Sequence, residues 1–212
     1  MEEIIKELMD KDFMWFPKYQ IGYSPMTNCR MYDDDYFNIY VERESTELGK
    51  KLNTFRINLV NEYIKGKVLD IGIGSGFFVR ARGNCLGYDV CPKAIDQLKS
   101  NGLWYDPYKV KQIDHNIEGI TFFDSLEHIS KPGLLLSRMN NQHVFISMPI
   151  FENLDHILKS RHFKPKEHCY YFTMQSLLNY MKMYSYKAIR IQDDETRLGR
   201  ENIMSFVFRR AE

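Results

Sequence analysis

The sequence predicts a three-layer α/β/α sandwich, with a mostly parallel sheet of seven strands and an antiparallel last strand. Three observations carry this. From residue 68 onward short apolar runs alternate with helical periods, the pattern of a parallel sheet covered on both faces by crossover helices. The last two apolar runs lie too close together for a helical crossover, so they pair antiparallel. The 212 residues are 44% hydrophobic and 27% charged, which supports one folded domain and excludes wholesale disorder.

The opening residues, MEEIIKELMDKDF, are acidic and amphipathic and lack the basic flank and apolar block of a secretory signal. No run of about 18 apolar residues could span a membrane, so a soluble, cytoplasmic chain is expected. Between Phe13 and Tyr40 stand nine aromatics in 28 residues, broken by Pro17, Gly22, Pro25 and Asp33-Asp34-Asp35. They follow no regular period, which suggests an irregular extension over residues 1–43, either an aromatic-anchored arm or a lid on a pocket. The main domain is then 44–212. From Ser45 to Lys65, Leu48, Leu52, Phe55, Leu59 and Tyr63 recur at helical spacing and Gly66 stops the helix. Glu47, Lys51, Arg56 and Glu62 read as its solvated face.

Strands follow at 68–71 (VLDI), 85–89 (CLGYD), 103–106 (LWYD), 120–124 (ITFFD) and 143–148 (HVFISM). A helix begins near Phe77, a second runs from Pro92 to Asn101-Gly102, and a third follows Thr173. KAIRIQ (187–192) and IMSFVFR (203–209) close the sheet. Cys29, Cys85, Cys91 and Cys169 are scattered with no Cys-x-x-Cys pair, so reduced structural thiols are expected and a zinc site is not. The net charge of +1 makes no global claim on nucleic acid.

The strongest chemical signal is VLDIGIGSG (68–76). Gly72, Gly74 and Gly76 let the backbone pass close to a ligand and turn into a helix whose first N–H groups face it. The spacing is neither the G-x-G-x-x-G of dinucleotide sites nor a phosphate loop. With Asp70 two residues ahead, it suits a ligand carrying an ammonium or hydroxyl group. Asp89, at the end of the next strand and 17 residues past Gly72, is placed to accept two ribose hydroxyls; the plainer alternative is a turn residue. Asp124, Glu127 and His128 follow the fourth strand, while His156, His162 and His168 follow the fifth, all on the carboxyl edge where such sheets bind ligands. Asp124, Glu127 and His128 alone do not make a metal site, and none is expected. Arg197 and Arg200 in the charged 193–201 hairpin either bind an acidic acceptor or pair with Glu195 and Glu201.

These motifs resemble class I S-adenosylmethionine-dependent methyltransferases over about residues 66–210. VLDIGIGSG looks like their first motif and GYDV (87–90) like their second. FFDSLEHI (122–129) looks like the segment after strand four in the branch related to small-molecule O-methyltransferases. SMPIF (147–151), KEHCYYFT (166–173) and LGRENIMSF (198–206) further resemble methyltransferase-like proteins of bacteriophage and environmental genomes. The resemblance implies a Rossmann-like sheet, S-adenosylmethionine as cofactor and S-adenosylhomocysteine as product. By position Asp70 and the backbone of Gly72 and Gly74 hold the methionine part, Gly76 is a further cofactor-binding residue, Asp89 takes the ribose, Val90 and Asp106 the adenine, and Asp124 lies beside the sulfonium. His128 is the expected base with Asp124 and Glu127 as its catalytic neighbours, and His168 and Arg200 contact the acceptor. That acceptor is expected to be a small polar molecule with a hydroxyl or amine. The Asn/Asp-Pro-Pro-Tyr run of DNA base methyltransferases is missing, so a nucleic-acid partner is disfavoured. A non-catalytic cofactor-binding module and a nucleic-acid-directed enzyme are the alternatives, and the oligomeric state stays open.

Overall fold

The computed structural model describes residues 13–25 and 32–211, so Cys29 lies outside the described residues. The strands are β1 (Met14–Phe16), β2 (Ile21–Tyr23), β3 (Lys67–Ile71), β4 (Cys85–Tyr88), β5 (Ile117–Phe123), β6 (His143–Phe151), β7 (Tyr170–Thr173), β8 (Tyr186–Gln192) and β9 (Ile203–Arg210). The helices are α1 (Asp34–Ser45), α2 (Glu47–Tyr63), α3 (Phe77–Arg82), α4 (Pro92–Ser100), α5 (Pro132–Leu136), α6 (Leu154–Lys159), α7 (Met174–Lys182) and α8 (Asp194–Arg197). A short 3₁₀ turn, Leu126–His128, follows β5.

In the main sheet β4, β3, β5 and β6 lie side by side and parallel. β9 joins β6 antiparallel, and β8 pairs antiparallel with β9. β8 therefore runs with the parallel strands, and the chain's last strand is the reversed one, as expected. Alternation along the strands divides the core. Val68, Phe145 and Val207 face α1 to α4, meeting Phe37, Leu59, Phe78 and Leu98. Leu69, Ile120, Ile146 and Phe206 face the other side, meeting Leu135, Leu177 and Met181. Both faces are covered, which makes the three layers.

Three local expectations are corrected. Residues 103–106 make only one parallel bridge, Trp104 to Gly87, because Asp106 turns the chain by accepting the Tyr108 N–H at 2.9 Å. The described parts of the Phe13–Tyr40 stretch, 13–25 and 32–40, are more regular than their sequence suggests. β1 and β2 form a hairpin added antiparallel to β7, which in turn pairs with the last two residues of β6. Phe13 anchors this hairpin against Phe151, Ile157 and Tyr171. The acidic run at 33–35 starts α1: Asp33 caps it by accepting the Tyr36 N–H at 2.9 Å, and Asp34 and Asp35 lie in its positive first turn. Thr46 ends α1 and caps α2, accepting the Gly49 N–H at 3.0 Å. None of the described helices is long and apolar enough to cross a membrane.

Candidate active site

β3 has β4 on one side and β5 on the other, so the chain leaves the sheet in opposite directions at their carboxyl ends. Such a switch point opens a crevice. Here it is a cavity of about 440 Å³ lined by Gly72, Gly74, Asp89, Val90, Asp124 and His128 of the expected residues. Tyr32, Tyr36 and Tyr40, from α1 and the residues before it, form the opposite wall.

The glycine turn is shaped by positive φ at Gly72 (81°), Gly74 (55°) and Gly76 (77°). A Cβ on Gly72 would stand 2.6 Å from the Ser125 Cβ, and one on Gly74 would stand 3.1 Å from the Tyr40 ring. Only bare backbone fits there. Gly76 does not line the cavity; it begins α3. Asp89 accepts N–H groups from Val90 (2.8 Å), Cys91 (2.9 Å) and Gly74 (3.2 Å), tying the end of β4 to the glycine turn. Asp89 thus braces the turn, as the plainer reading had it, and also lines the cavity. Asp70 lies behind the turn, buried, accepting the Thr121 hydroxyl at 2.6 Å. Burial pushes its carboxyl up to about 7, against the pull of Thr121 and Arg56. Asp106 faces its own turn, while Tyr88 and Tyr108, missed from sequence, line the cavity with ring centroids 5.3 Å apart. The one available signal was Tyr88's place beside Asp89.

Asp124 ends β5 in the left-handed region (φ 56°), uncommon for a residue with a side chain and a mark of a position held by its surroundings. Arg56 donates to it at 2.7 Å, and Arg200 reaches both its oxygens at 2.9 and 3.0 Å. The same two arginines hold buried Glu195, Arg56 at 2.9 and 3.0 Å. Burial works to raise the Asp124 carboxyl, but Arg200 and Arg56 outweigh it and hold the group well below the usual carboxylate range. Arg56, expected on a solvated face, is 8% exposed and lies 4.7 Å over the Phe123 ring. Its position four residues from Leu52 and three from Leu59 was the overlooked signal. Arg200 pairs with Glu195 as one alternative had it, though inside the protein, and it does not line the cavity. Arg197 pairs with Asp193 at the surface.

Glu127 and His168 stand behind His128. Burial and the Asp124 charge push the Glu127 carboxyl up to about 8, whereas burial lowers both histidines and keeps the rings neutral. Tyr32 Oη lies 3.3 Å from His128 Nδ1, and Glu127 Oε1 lies 4.0 Å from His128 Nε2. His156 is used structurally, with Asn202 Nδ2 at 2.8 Å, and so is His162, against the Glu201 carbonyl at 2.9 Å. Cys85 and Cys91 are buried free thiols, and Cys169 is buried beside His168.

Residues 40–190 match the family described as methyltransferase domain. None of the curated proteins compared matches the chain. Among solved structures, magnesium protoporphyrin IX methyltransferase from Synechocystis PCC 6803, with bound S-adenosylhomocysteine, superposes with TM-score 0.61 at 13% identity, over 85% of this chain and 96% of that one. A Haloferax volcanii chain solved with the Trm112 methyltransferase activator gives 0.61 at 12%, over 84% and 97%. The 1,6-didemethyltoxoflavin-N1-methyltransferase of Burkholderia thailandensis gives 0.56 at 13%, over 93% and 98%. Identities this low speak for the fold, and the family match adds the activity. With the glycine turn and Asp89 at the switch point of this sheet, the chain belongs to the methyltransferase domain family and is an S-adenosylmethionine-dependent methyltransferase.

Proposed function

We propose that the protein methylates a hydroxyl or amine of a small polar acceptor. One observation carries this reading: a single cavity joins the glycine turn and Asp89 to a wall made by Tyr32, Tyr36, Tyr40 and His128. Its volume of about 440 Å³ is of small-molecule size. The Leu126-Glu127-His128 turn supports the same branch of the family, as do neighbours named for small-molecule substrates.

The residues present fit the cofactor. Main-chain groups of Gly72 and Gly74 would hold its methionine part, with Asp70 bracing the strand beneath. Asp89 would take the ribose hydroxyls, and Val90, 56% exposed at the cavity wall, would pack on adenine beside Tyr88 and Tyr108. Asp106 supports Tyr108 from its turn, and Gly76 starts the helix behind the site. When bound, the cofactor supplies a methyl group on a sulfonium, already a good leaving group. The protein's task is then to position the acceptor about 3 Å away in line, with a base needed only for a hydroxyl.

Asp124 stays ionised and balanced by its arginines, so it shapes the local field and takes no proton. Glu127 lies behind the wall. His128, neutral and facing the cavity, is the group that meets the acceptor's polar atom. His168 and Arg200 act through His128 and Asp124 respectively. Of the 1–43 extension, Tyr32, Tyr36 and Tyr40 contribute the wall of a lid. Incubating the protein with methyl-labelled S-adenosylmethionine and a small-molecule extract should label a low-mass product. Label appearing only in added RNA or DNA would overturn the proposed acceptor class.

A further inference from the structure

Where the loop before β7 passes the turn after β5, Glu127, His128 and His168 each bring one metal-binding atom, all within 4.8 Å of one another. The main chain fixes this approach. The Cys169 N–H donates to the Glu127 carbonyl at 2.7 Å, and the Cys169 thiol donates to the His128 carbonyl at 3.4 Å. The two imidazoles meet edge-on, 4.6 Å between centroids. Tyr32 Oη, 3.3 Å from His128 Nδ1, helps orient the His128 ring.

Glu127 points to what the cluster lacks. It is 2% exposed, and its Oε2 is buried with no hydrogen-bond partner. The nearby cations are already used, since Arg56 and Arg200 are matched one for one by Asp124 and Glu195. A buried carboxyl oxygen without a hydrogen-bond partner is costly, and the groups beside it are two imidazoles, a common kind of metal ligand.

We propose that Glu127, His128 and His168 form a binding site for one divalent first-row transition ion such as zinc or manganese. Two nitrogens and one carboxylate suit these ions, whereas magnesium and calcium prefer all-oxygen sets. Ligands about 2.1 Å from a common ion stand roughly 3.3 Å apart, so the widest pair must close by about 1.5 Å, within reach of side-chain rotation. Three protein ligands leave a coordination position open. The expectation of no metal weighed Asp124 with Glu127 and His128; the fold gives Asp124 to the arginines and supplies His168 in its place. The site adds to the methyl-transfer reading and does not depend on it.

The test uses the tag-free full chain stripped with a chelator. Cobalt titration should produce a visible ligand-field band, and calorimetry should show one zinc per chain, with magnesium at least about tenfold weaker. Glu127→Gln and His168→Ala should each weaken zinc by at least about tenfold, with S-adenosylhomocysteine affinity retained as the control for folding. His168→Asn replaces the alanine variant if that fails to fold, and exposed His115→Ala should change nothing. No band and no zinc heat would overturn the site, as would unchanged zinc affinity in folded Glu127→Gln and His168 variants. Either failure would leave methyl transfer standing, because cofactor binding is read separately.

Discussion

At the scale of single residues, two buried aspartates beside the glycine turn behave differently because their partners differ. Asp89 accepts three main-chain N–H groups, so its carboxylate is pre-aimed before any ribose arrives. Asp89→Ala should weaken S-adenosylhomocysteine binding by about 1.5–3 kcal/mol in calorimetry, the worth of hydrogen bonds to a charged acceptor. An unchanged affinity would reduce Asp89 to a brace for the turn. Asp70 accepts the Thr121 hydroxyl and no main-chain N–H among the described residues, and burial pushes its carboxyl up to about 7. Its folded value is raised above the unfolded one of about 3.9, so the stability it contributes is present below pH 4 and lost as pH rises toward 7. The loss should be on the order of a few kcal/mol. Asp70→Asn keeps an acceptor for Thr121 and should flatten this slope in urea unfolding followed from pH 4.5 to 7.5. A slope that persisted in the variant would place its origin elsewhere.

At the scale of elements, α2, β5 and the β8–β9 connection are joined by four charges: Arg56, Asp124, Glu195 and Arg200. The set is neutral as a whole, but losing one member leaves a buried charge uncompensated. Arg56→Ala should therefore destabilise the fold by about 3–5 kcal/mol, and Arg56→Met with Glu195→Leu should recover much of that loss. A cost below about 1 kcal/mol in the single variant would mean that water reaches the quartet. This network also shows what could be read in advance. The strand–helix alternation, the reversed last strand and the glycine turn were legible because each rests on contiguous residues whose pattern is local. Arg56 was not, since its partners lie 68 and 139 positions away and its own helix looks amphipathic without it. The β1–β2 hairpin and β7 were missed for a related reason. They are strands of three and four residues, too short for a period, and they are held by pairing with one another. Of the candidate site, the residues on the glycine turn and the strand ends were legible; the wall contributed by Tyr88 and Tyr108 comes from the packing of distant turns.

At the scale of the whole molecule, the proposed lid depends on how α1 is attached. One side of the helix is fixed: Phe37 is buried in the core, and Asn38 and Glu44 hold Lys93 of α4 (2.8 Å) and Arg80 of α3 (3.2 Å). The other side carries Tyr36 and Tyr40, one turn apart with their hydroxyls 2.8 Å from each other, and Tyr32 packs edge-on against Tyr36. These rings face a cavity, so a ligand bound there would add contacts to them. Binding should close the helix more tightly on its neighbours and slow its local opening. In hydrogen–deuterium exchange, saturating S-adenosylhomocysteine should slow the amides of 34–45 by about tenfold, corresponding to about 1.4 kcal/mol of added local stability. The amides of α7, on the opposite face of the sheet, should change far less unless exchange there requires global unfolding. Tyr36→Ala should keep the helix, through Phe37 and the Asp33 cap, yet lose most of the ligand-dependent slowing. If wild-type α1 exchanged at the same rate with and without ligand, it would be a fixed wall of the cavity rather than a lid.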